Sequence, residues 1–351
     1  MGQASSHYDY HLPAEAIAQE PAHPRDSARL LVDTSPHVEP IHRHVRELPS
    51  LIRPGDVLVV NDTRVAAARL ALLKPSGGAV EVLVLEPVDL DAQGEAGAGW
   101  WSALVRPSRR VAVGTVLNTA DGLPALEVGG EYGSGQRVVR AVDAAMAEVM
   151  QRCGEVPLPP YITAPLADTE RYQTVYAAEP TSVAAPTAGL HFTPALLEAC
   201  AAAGAQVHRV QLSVGVGTFR PISAARVEQH EMHAERYRVA EHTLAACRAA
   251  ERVIAVGTTT VRALESAAVG DLEGSTSLYI RPGYNFELVD VLLTNFHLPR
   301  SSLLVMLEAF CGPRWIDLYA VALAAGYRFL SLGDAMITQR SDRSASGDTL
   351  L

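Results

Sequence analysis

Lysine is almost missing from this sequence, which has one, Lys74, among 29 lysine and arginine residues. Schiff-base chemistry is therefore disfavoured, and nearly all positive charge sits on guanidinium groups, which pair with carboxylates and phosphates. Cysteine is also scarce, and the sequence has no Cys-x-x-Cys pair. The four widely separated cysteines are Cys153, Cys200, Cys247 and Cys311. This spacing argues against a disulfide framework and a zinc knuckle.

Long apolar runs and a leader-like start are absent as well. No stretch approaches the ~18 apolar residues that span a bilayer, and residues 1–10 contain neither a basic segment nor an apolar one. We therefore expect a cytoplasmic protein that is not exported. The formal net charge of -10 disfavours a non-specific nucleic-acid binder, because such a protein needs a basic surface to neutralise phosphates. Any contact with RNA must be local.

The composition and the order of apolar segments predict a mixed α/β fold with two domains. Hydrophobic residues make up 48% of the 351 residues, enough for one large domain and a smaller one. Short apolar segments and glycine-rich turns from about Leu70 to Ala141 predict a small β-barrel. Since α/β patterns flank this part on both sides, we predict a barrel inserted into a larger α/β domain. The predicted boundaries are 1–66 and 150–340 for the larger domain, 67–149 for the barrel and 341–351 for a disordered tail.

Local signals indicate where the strands of the larger domain end. The β-branched run 57–60 predicts a buried strand before the polar residues 61–64, and Thr193 with Pro194 predicts a helix start. Further strand-to-helix pairs are predicted at 252–256 with 261–268 and at 289–293 with a helix from Ser301. A last strand is predicted at 327–332, with Asp334 beyond its end.

Polar loops at these strand ends are candidate sites, because ligands of α/β proteins bind beyond the carboxyl ends of strands. In the loop 186–193, backbone amides can hold an anion and His191 can exchange a proton. The alternative is a tight turn whose histidine only caps a helix. The other candidate loops are 61–64, 215–221, 257–260, 294–302 and 333–336. Each alone also suits a bulge or a cap, but so many polar strand ends favour one site.

One further candidate lies on a predicted strand. Residues 233–239 alternate in polarity, which places His233, Glu235, Tyr237 and Val239 on one face. A histidine and a glutamate on one face can form an acid–base pair. A metal site is less favoured, because this spacing is not that of H-E-x-x-H. We therefore expect no metal.

Five segments of the sequence carry a specific pattern of residues. They are Asn61–Val65, Pro157–Ile162, Arg171–Ala177, Val183–Thr193 and Thr294–Pro299. Together they resemble the S-adenosylmethionine:tRNA ribosyltransferase-isomerase family of queuosine biosynthesis. The resemblance runs from Tyr8 to about Ile337, includes 230–233, 257–266, 281–284 and 333–336, and is weakest in the β-rich part. Three positions depart from the family pattern, at Ser213, Thr163 and the pair Thr181–Ser182.

The resemblance implies a donor, S-adenosylmethionine, whose ribosyl part is transferred to 7-aminomethyl-7-deazaguanine at the tRNA wobble position. Rearrangement of that part yields epoxyqueuosine-tRNA, and adenine and methionine leave. The resemblance also implies a larger α/β domain with an inserted barrel and no metal or redox cofactor. The expected partners are S-adenosylmethionine and the precursor tRNA, without a membrane. A monomer is expected, although the sequence does not determine the oligomeric state.

This chemistry needs a base that removes a proton beside the sulfonium and an acid that assists the departure of adenine. The candidates for proton transfer are His191, His233, Glu235, His297 and Asp334. The candidates for substrate binding are Asp62, Arg64, Thr187, Gly189, Gly217, Thr218, Arg220, Thr258, Thr259, Arg262 and Asn295. The candidates for tRNA binding are Arg106, Arg109 and Arg110. The pattern leaves open which group is the base and which is the acid.

Two other classes of protein stay open. A methyltransferase would also use S-adenosylmethionine on RNA, but it normally has an early glycine-rich strand-to-helix turn, which the N-terminal part lacks. A non-catalytic RNA-binding protein would use the barrel and its arginines. That alternative leaves the histidine-containing loops unexplained.

Overall fold

The computed structural model describes residues 3–33, 38–90, 96–133, 135–215 and 221–342. They form a mixed α/β structure with two sheets and six α-helices. No helix in these ranges is long and apolar enough to cross a membrane. The predicted tail, 341–351, lies outside the described residues beyond Asp342.

The chain divides into two compact units. The first comprises Met1–Arg64, Pro159–Glu179 and Ala184–Leu351, and the second comprises Val65–Leu158 and Pro180–Val183. The helices are α1 (Met146–Cys153), α2 (Pro194–Ala202), α3 (Glu241–Ala249), α4 (Thr258–Val269), α5 (Ser302–Cys311) and α6 (Trp315–Ala324). The strands are β1 (Arg29–Val32), β2 (Ile41–His44), β3 (Asp56–Asn61), β4 (Arg69–Leu73), β5 (Ala79–Leu90), β6 (Ala96–Arg106), β7 (Thr115–Asn118), β8 (Pro124–Tyr132), β9 (Gln136–Ala141), β10 (Gly154–Glu155), β11 (Gln206–Leu212), β12 (Glu235–Val239), β13 (Arg252–Val256), β14 (Glu273–Thr276), β15 (Val291–Asn295) and β16 (Ala335–Gln339).

The first unit is built on a nine-stranded sheet in the order β14-β12-β11-β3-β13-β15-β16-β1-β2. Its centre is parallel, because β3 pairs in parallel with β11 and β13, and β13 pairs in parallel with β15. The remaining neighbours pair antiparallel except β16 and β1. Side chains of β3 alternate between two cores: Val57 and Val59 join one cluster, and Leu58 and Val60 join the other. Burial on both faces explains the continuous apolar run of this strand.

Helix starts in the first unit follow the predicted capping residues. The Thr193 hydroxyl accepts a hydrogen bond from the Leu196 amide at 3.1 Å, and the Ser301 hydroxyl accepts one from the Leu304 amide at 3.4 Å. Gly257 has a φ of 90°, a conformation that favours glycine, and turns the chain directly into α4. α4 therefore begins three residues before the predicted Val261, so that Thr258 and Thr259 lie in its first turn.

The predicted last strand, 327–332, is wrong. Phe329 makes only an isolated bridge to Ile17, Leu330 has a φ of 69°, and the strand lies instead at β16. Tyr327, Phe329 and Leu330 are buried in the core without forming a ladder, which explains why their apolar pattern imitated a strand.

The second unit contains a seven-stranded antiparallel sheet in the order β10-β4-β5-β6-β9-β8-β7. β4 also pairs with β7, with Leu73 opposite Asn118. Most buried apolar side chains of these strands form one cluster, to which α1 adds Met146 and Val149, and Val88, Trp100 and Val138 form a smaller one. This helix was not predicted, and its short apolar face explains why the pattern was missed.

A buried ion pair joins the first residues of β3 and β13. The Asp56 Oδ1 and Oδ2 atoms lie 3.0 and 2.6 Å from the Nε and Nη2 atoms of Arg252, and both side chains are buried. Replacing Asp56 with alanine leaves a buried guanidinium without its partner. We expect Asp56→Ala to lower the free energy of unfolding by about 3–5 kcal/mol in urea denaturation.

The matched control is Glu273→Ala, which removes the exposed partner of Arg238. Its expected loss is within about 1 kcal/mol. Equal losses in the two variants would contradict the importance of the buried pair.

Candidate active site

Parallel pairing brings the carboxyl ends of β3, β11, β13 and β15 to one edge of the nine-stranded sheet. β12 and β16 run in the opposite direction, and therefore begin at this edge. The predicted loops 61–64, 257–260 and 294–302 start at this edge. Glu235 is the first residue of β12, and Asp334 directly precedes β16. One edge thus collects most of the predicted site residues of the first unit.

A buried amide organises the loop after β3. Asn61 donates from Nδ2 to the Leu212 carbonyl at 3.0 Å and to Thr259 Oγ1 at 3.2 Å. Its Oδ1 accepts hydrogen bonds from the Leu212 amide and from the Thr63 hydroxyl. Asn61 and Thr63 were not among the predicted site residues, although the Asn-Asp-Thr-Arg sequence at a strand end was the available signal. These bonds tie β3, β11 and the start of α4 together.

A second polar cluster joins the 187–191 turn to the end of β15. Thr187 Oγ1 donates to Asn295 Oδ1 at 2.8 Å, and Asn295 Nδ2 lies 3.3 Å from His191 Nε2. The same Nδ2 is 3.3 Å from the Leu330 carbonyl. A methyl group at Gly189 would overlap the Tyr176 hydroxyl, so this position requires glycine. The structure therefore brings Thr187, Gly189, His191 and Asn295 together.

His297 is held separately, two residues beyond β15. Its Nε2 lies 3.1 Å from Thr294 Oγ1, and its amide donates to the Tyr319 hydroxyl at 2.7 Å. The Tyr10 hydroxyl donates to its carbonyl. Tyr10 and Tyr319 belong to remote segments, which explains why the sequence did not indicate them.

Both histidines are buried, with relative exposures of 4% for His191 and 7% for His297. Burial lowers the pKa of His191 to about 4, although the Asp334 carboxylate opposes the shift. Burial also lowers the pKa of His297 to about 3. Each imidazole is therefore neutral near pH 7.

Two adjoining pockets open at this edge. The larger pocket is lined by residues that include Tyr161, Thr187, Gly257, Asn295, His297 and Ser331. The smaller pocket is lined by residues that include Met232, Glu235, Arg262, Tyr279, Ile280 and Met306. Thr258, Thr259 and Leu303 line both. The first turn of α4 therefore stands where the two pockets meet.

Glu235 and Arg262 form a buried ion pair beside the smaller pocket. The predicted shared face of Glu235, Tyr237 and Val239 is confirmed, because these three side chains of β12 are buried. His233 lies before the strand and is exposed. The structure therefore does not bring His233 into the buried cluster with Glu235.

Three further candidates lie outside these clusters. Asp334 and Arg64 have partners elsewhere, and Asp62 is buried. The Asp334 carboxylate accepts the amides of Arg29 at 2.9 Å and Arg328 at 2.8 Å, which fixes the turn before β16. Arg64 pairs with Glu170. Burial raises the pKa of the Asp62 carboxyl, whose Oδ1 has no hydrogen-bond partner among the described residues.

The other predicted site residues are distributed as follows. Gly217, Thr218 and Arg220 lie outside the described residues. The predicted tRNA-binding residues Arg106, Arg109 and Arg110 belong to the second unit and are exposed. Across the described part of the chain, no group of three histidine, cysteine, aspartate or glutamate side chains could hold a metal ion.

The lowered pKa values of the two histidines link stability to pH. Both lie below 6.5, the value of an unperturbed imidazole, so the unfolded chain binds more protons as the pH falls through 6.5 towards 4. Stability is therefore lost in this window, by about 2 kcal/mol per histidine between pH 7 and 5. We expect His191→Gln and His297→Gln each to reduce the pH dependence of the unfolding free energy by about that amount.

The control for this urea-denaturation series is His11→Gln, which changes an exposed histidine. Its pH dependence should match that of the unchanged protein. A pH slope that is the same in all three variants would show that neither buried histidine is held neutral.

Comparison with known proteins places the chain in a family. The family model described as "Queuosine biosynthesis protein" matches residues 5–338. A Rubrobacter xylanophilus relative named S-adenosylmethionine:tRNA ribosyltransferase-isomerase is 49% identical, over 96% of this chain and 98% of its own. A Thermus thermophilus relative of the same name is 49% identical, over 94% and 98%.

A solved structure supports the fold. The crystal structure of S-adenosylmethionine tRNA ribosyltransferase from Thermotoga maritima is similar, with a TM-score of 0.52 and 33% identity over 94% of this chain and 99% of that one. With a family model that covers nearly the whole sequence and relatives at this level of identity, the chain belongs to the queuosine biosynthesis protein family.

Proposed function

We propose that this chain is an S-adenosylmethionine:tRNA ribosyltransferase-isomerase that acts on tRNA carrying 7-aminomethyl-7-deazaguanine at the wobble position. A bond forms between the amine nitrogen of the base and a carbon of the ribosyl unit, and the amine loses one proton. New bonds within the ribosyl unit convert it into an epoxycyclopentanediol. The carbon–sulfur bond to methionine and the glycosidic bond to adenine break, and their electrons go to sulfur and to adenine. With the amine neutral at the start, the products are epoxyqueuosine-tRNA, methionine, adenine and one proton.

The observation that carries this proposal is the pair of buried, neutral histidines at the larger pocket. His297 lines that pocket, and His191 is linked to it through Asn295. The names of relatives that are 49% identical point to the same reaction. The imidazoles, hydroxyls and amide at this edge also provide the hydrogen-bonding groups that can orient an adenine base.

A neutral imidazole with so low a pKa holds an abstracted proton only briefly and passes it on readily. Because its pKa is low, the imidazolium that forms when it removes a proton beside the sulfonium is a strong acid. That imidazolium can then protonate the departing adenine. We propose His191 and His297 for these two steps, and a positioning part for Asp334, because its carboxylate accepts two backbone amides. His233, which is exposed, is less well placed for either step.

We assign tRNA binding to the second unit. Arg106, Arg109 and Arg110 are exposed at the end of β6 and in the turn that follows. The buried Arg137 donates to the Ser108 and Val111 carbonyls at 3.4 and 3.1 Å, which fixes that turn. The additional pairing of β4 with β7 supports closure of the sheet into the small barrel that the sequence predicts. The enzyme would act in the cytoplasm as a monomer and without a resident metal.

Product analysis distinguishes this reaction from the two alternatives. Incubation with S-adenosylmethionine and precursor tRNA should release adenine and methionine. S-adenosylhomocysteine would instead indicate a methyltransferase, and tRNA binding without turnover would indicate an RNA-binding protein. We expect His191→Gln and His297→Gln each to lower kcat by about 10²- to 10⁴-fold, the usual loss for a general acid or base.

Two controls accompany the product analysis. His242→Gln should keep the full rate, and an excess of chelator should leave the rate unchanged. Near-full kcat in both pocket variants would sink the assignment of the histidines. Loss of the rate together with stoichiometric zinc would overturn the metal-free proposal.

Affinity for tRNA should depend on the arginines of the second unit. Charge reversal at Arg106, Arg109 or Arg110 is expected to weaken tRNA binding about 10-fold and to reduce its salt dependence, because each loses a phosphate contact. Binding of S-adenosylmethionine should not change. Arg248→Glu, an exposed arginine of the first unit, is the matched control. If all four variants bind tRNA alike, the assigned surface is incorrect.

A further inference from the structure

The smaller pocket has an apolar wall and a charged floor. Met232, Ile280, Leu303 and Met306 supply flexible or branched apolar side chains. Such a wall suits a short alkyl or thioether chain, because methionine side chains adapt to polarisable groups. Glu235 and Arg262 supply the floor, and both are buried.

The charged floor is rigid. Arg262 donates from Nε to the Leu278 carbonyl at 3.1 Å and from Nη2 to the Thr276 carbonyl at 3.2 Å, and its Nη1 pairs with Glu235. Glu235 Oε1 also accepts the Gly215 amide at 2.9 Å. The guanidinium is therefore committed to protein acceptors through three nitrogens. The pair presents a fixed dipole, negative at Glu235 and positive at Arg262.

The first turn of α4 completes the polar side of this pocket. The amides of Thr260 and Val261 donate to the Gly257 carbonyl, and a helix has no internal acceptors for the two amides before them. Those amides belong to Thr258 and Thr259, whose residues line the pocket. The positive end of the helix dipole lies there as well, which favours a carboxylate.

We infer that the smaller pocket binds the zwitterionic α-amino acid end of the donor. Its α-ammonium lies towards Glu235, its α-carboxylate lies towards the first turn of α4 and Arg262, and its side chain follows the apolar wall. A zwitterion of this kind matches the fixed dipole of the ion pair, whereas a single charge matches only half of it. This inference rests on the proposed function, because that function makes S-adenosylmethionine the donor.

The shared boundary of the two pockets sets the orientation of the donor. With the amino acid end in the smaller pocket, the sulfur lies near Leu303 and the first turn of α4, which line both pockets. The adenosyl part then occupies the larger pocket beside His297 and Asn295. Glu235 thereby becomes a residue that binds the donor, and proton transfer is left to the histidines.

Ligand binding by calorimetry tests this orientation without turnover. The probes are S-adenosylhomocysteine, which has the amino acid end, and 5′-methylthioadenosine, which lacks it. We expect the unchanged protein to bind S-adenosylhomocysteine about 10-fold or more tightly than 5′-methylthioadenosine. Met232→Phe, which narrows only the smaller pocket, should remove this preference and leave affinity for 5′-methylthioadenosine unchanged.

Glu235→Gln should also remove the preference, and its melting curve shows whether it folds. If it does not fold, the inference is tested by the affinities of the unchanged protein and of Met232→Phe for the two probes. Arg236→Ala is the matched control, because this exposed arginine points away from Glu235 on the same strand. It should bind both probes as the unchanged protein does.

Equal affinity of the unchanged protein for the two probes would overturn the inference. So would an equal loss of affinity for both probes in Met232→Phe. Adenine release by the same preparation reports the proposed function separately. Adenine release without a probe preference sinks the inference alone, and a probe preference without adenine release sinks the proposed function alone.

Discussion

Parallel pairing of the four central strands β11, β3, β13 and β15 is the constraint on which the candidate site depends. It places four strand ends side by side, and the helix α4 starts directly after one of them. Asn61 stabilises this arrangement, since its side-chain amide donates hydrogen bonds to Leu212 and Thr259. The pockets and their polar groups follow from that geometry, because loops from distant parts of the chain can meet only at such an edge.

Burial then decides the chemical character of these groups. His191 and His297 are kept neutral at neutral pH because a charged imidazole would lose its hydration. Glu235 and Arg262 stay paired because neither can be buried alone at low cost. In the function that we propose, proton transfer and recognition of charge are thus separated between the two pockets. This division suits a donor that carries a reactive sulfonium between an adenosyl part and an amino acid part.

Sequence patterns predicted which loops lie at the carboxyl edge of the nine-stranded sheet, but not the hydrogen bonds that connect them. The run 57–60 and the caps at Thr193 and Ser301 are local signals, and the structure confirms them. The partners of His297 come from remote segments, so no spacing along the chain indicates them. The Arg29 amide that donates to Asp334 is equally remote, and the strand predicted before Asp334 is a buried turn. Tertiary packing, which sequence periodicity does not encode, accounts for these differences.

The central claim is that the donor binds at the carboxyl edge of the nine-stranded sheet. Methyl NMR spectra of the protein with 13C-labelled methionine, titrated with S-adenosylhomocysteine, test it most directly. Met232 and Met306 line the smaller pocket, whereas Met146 and Met150 lie on α1 in the second unit. We expect large shifts for the first two methyl groups and none for the other two. Shifts confined to Met146 and Met150, or saturation of binding without any change at Met232 and Met306, would contradict it.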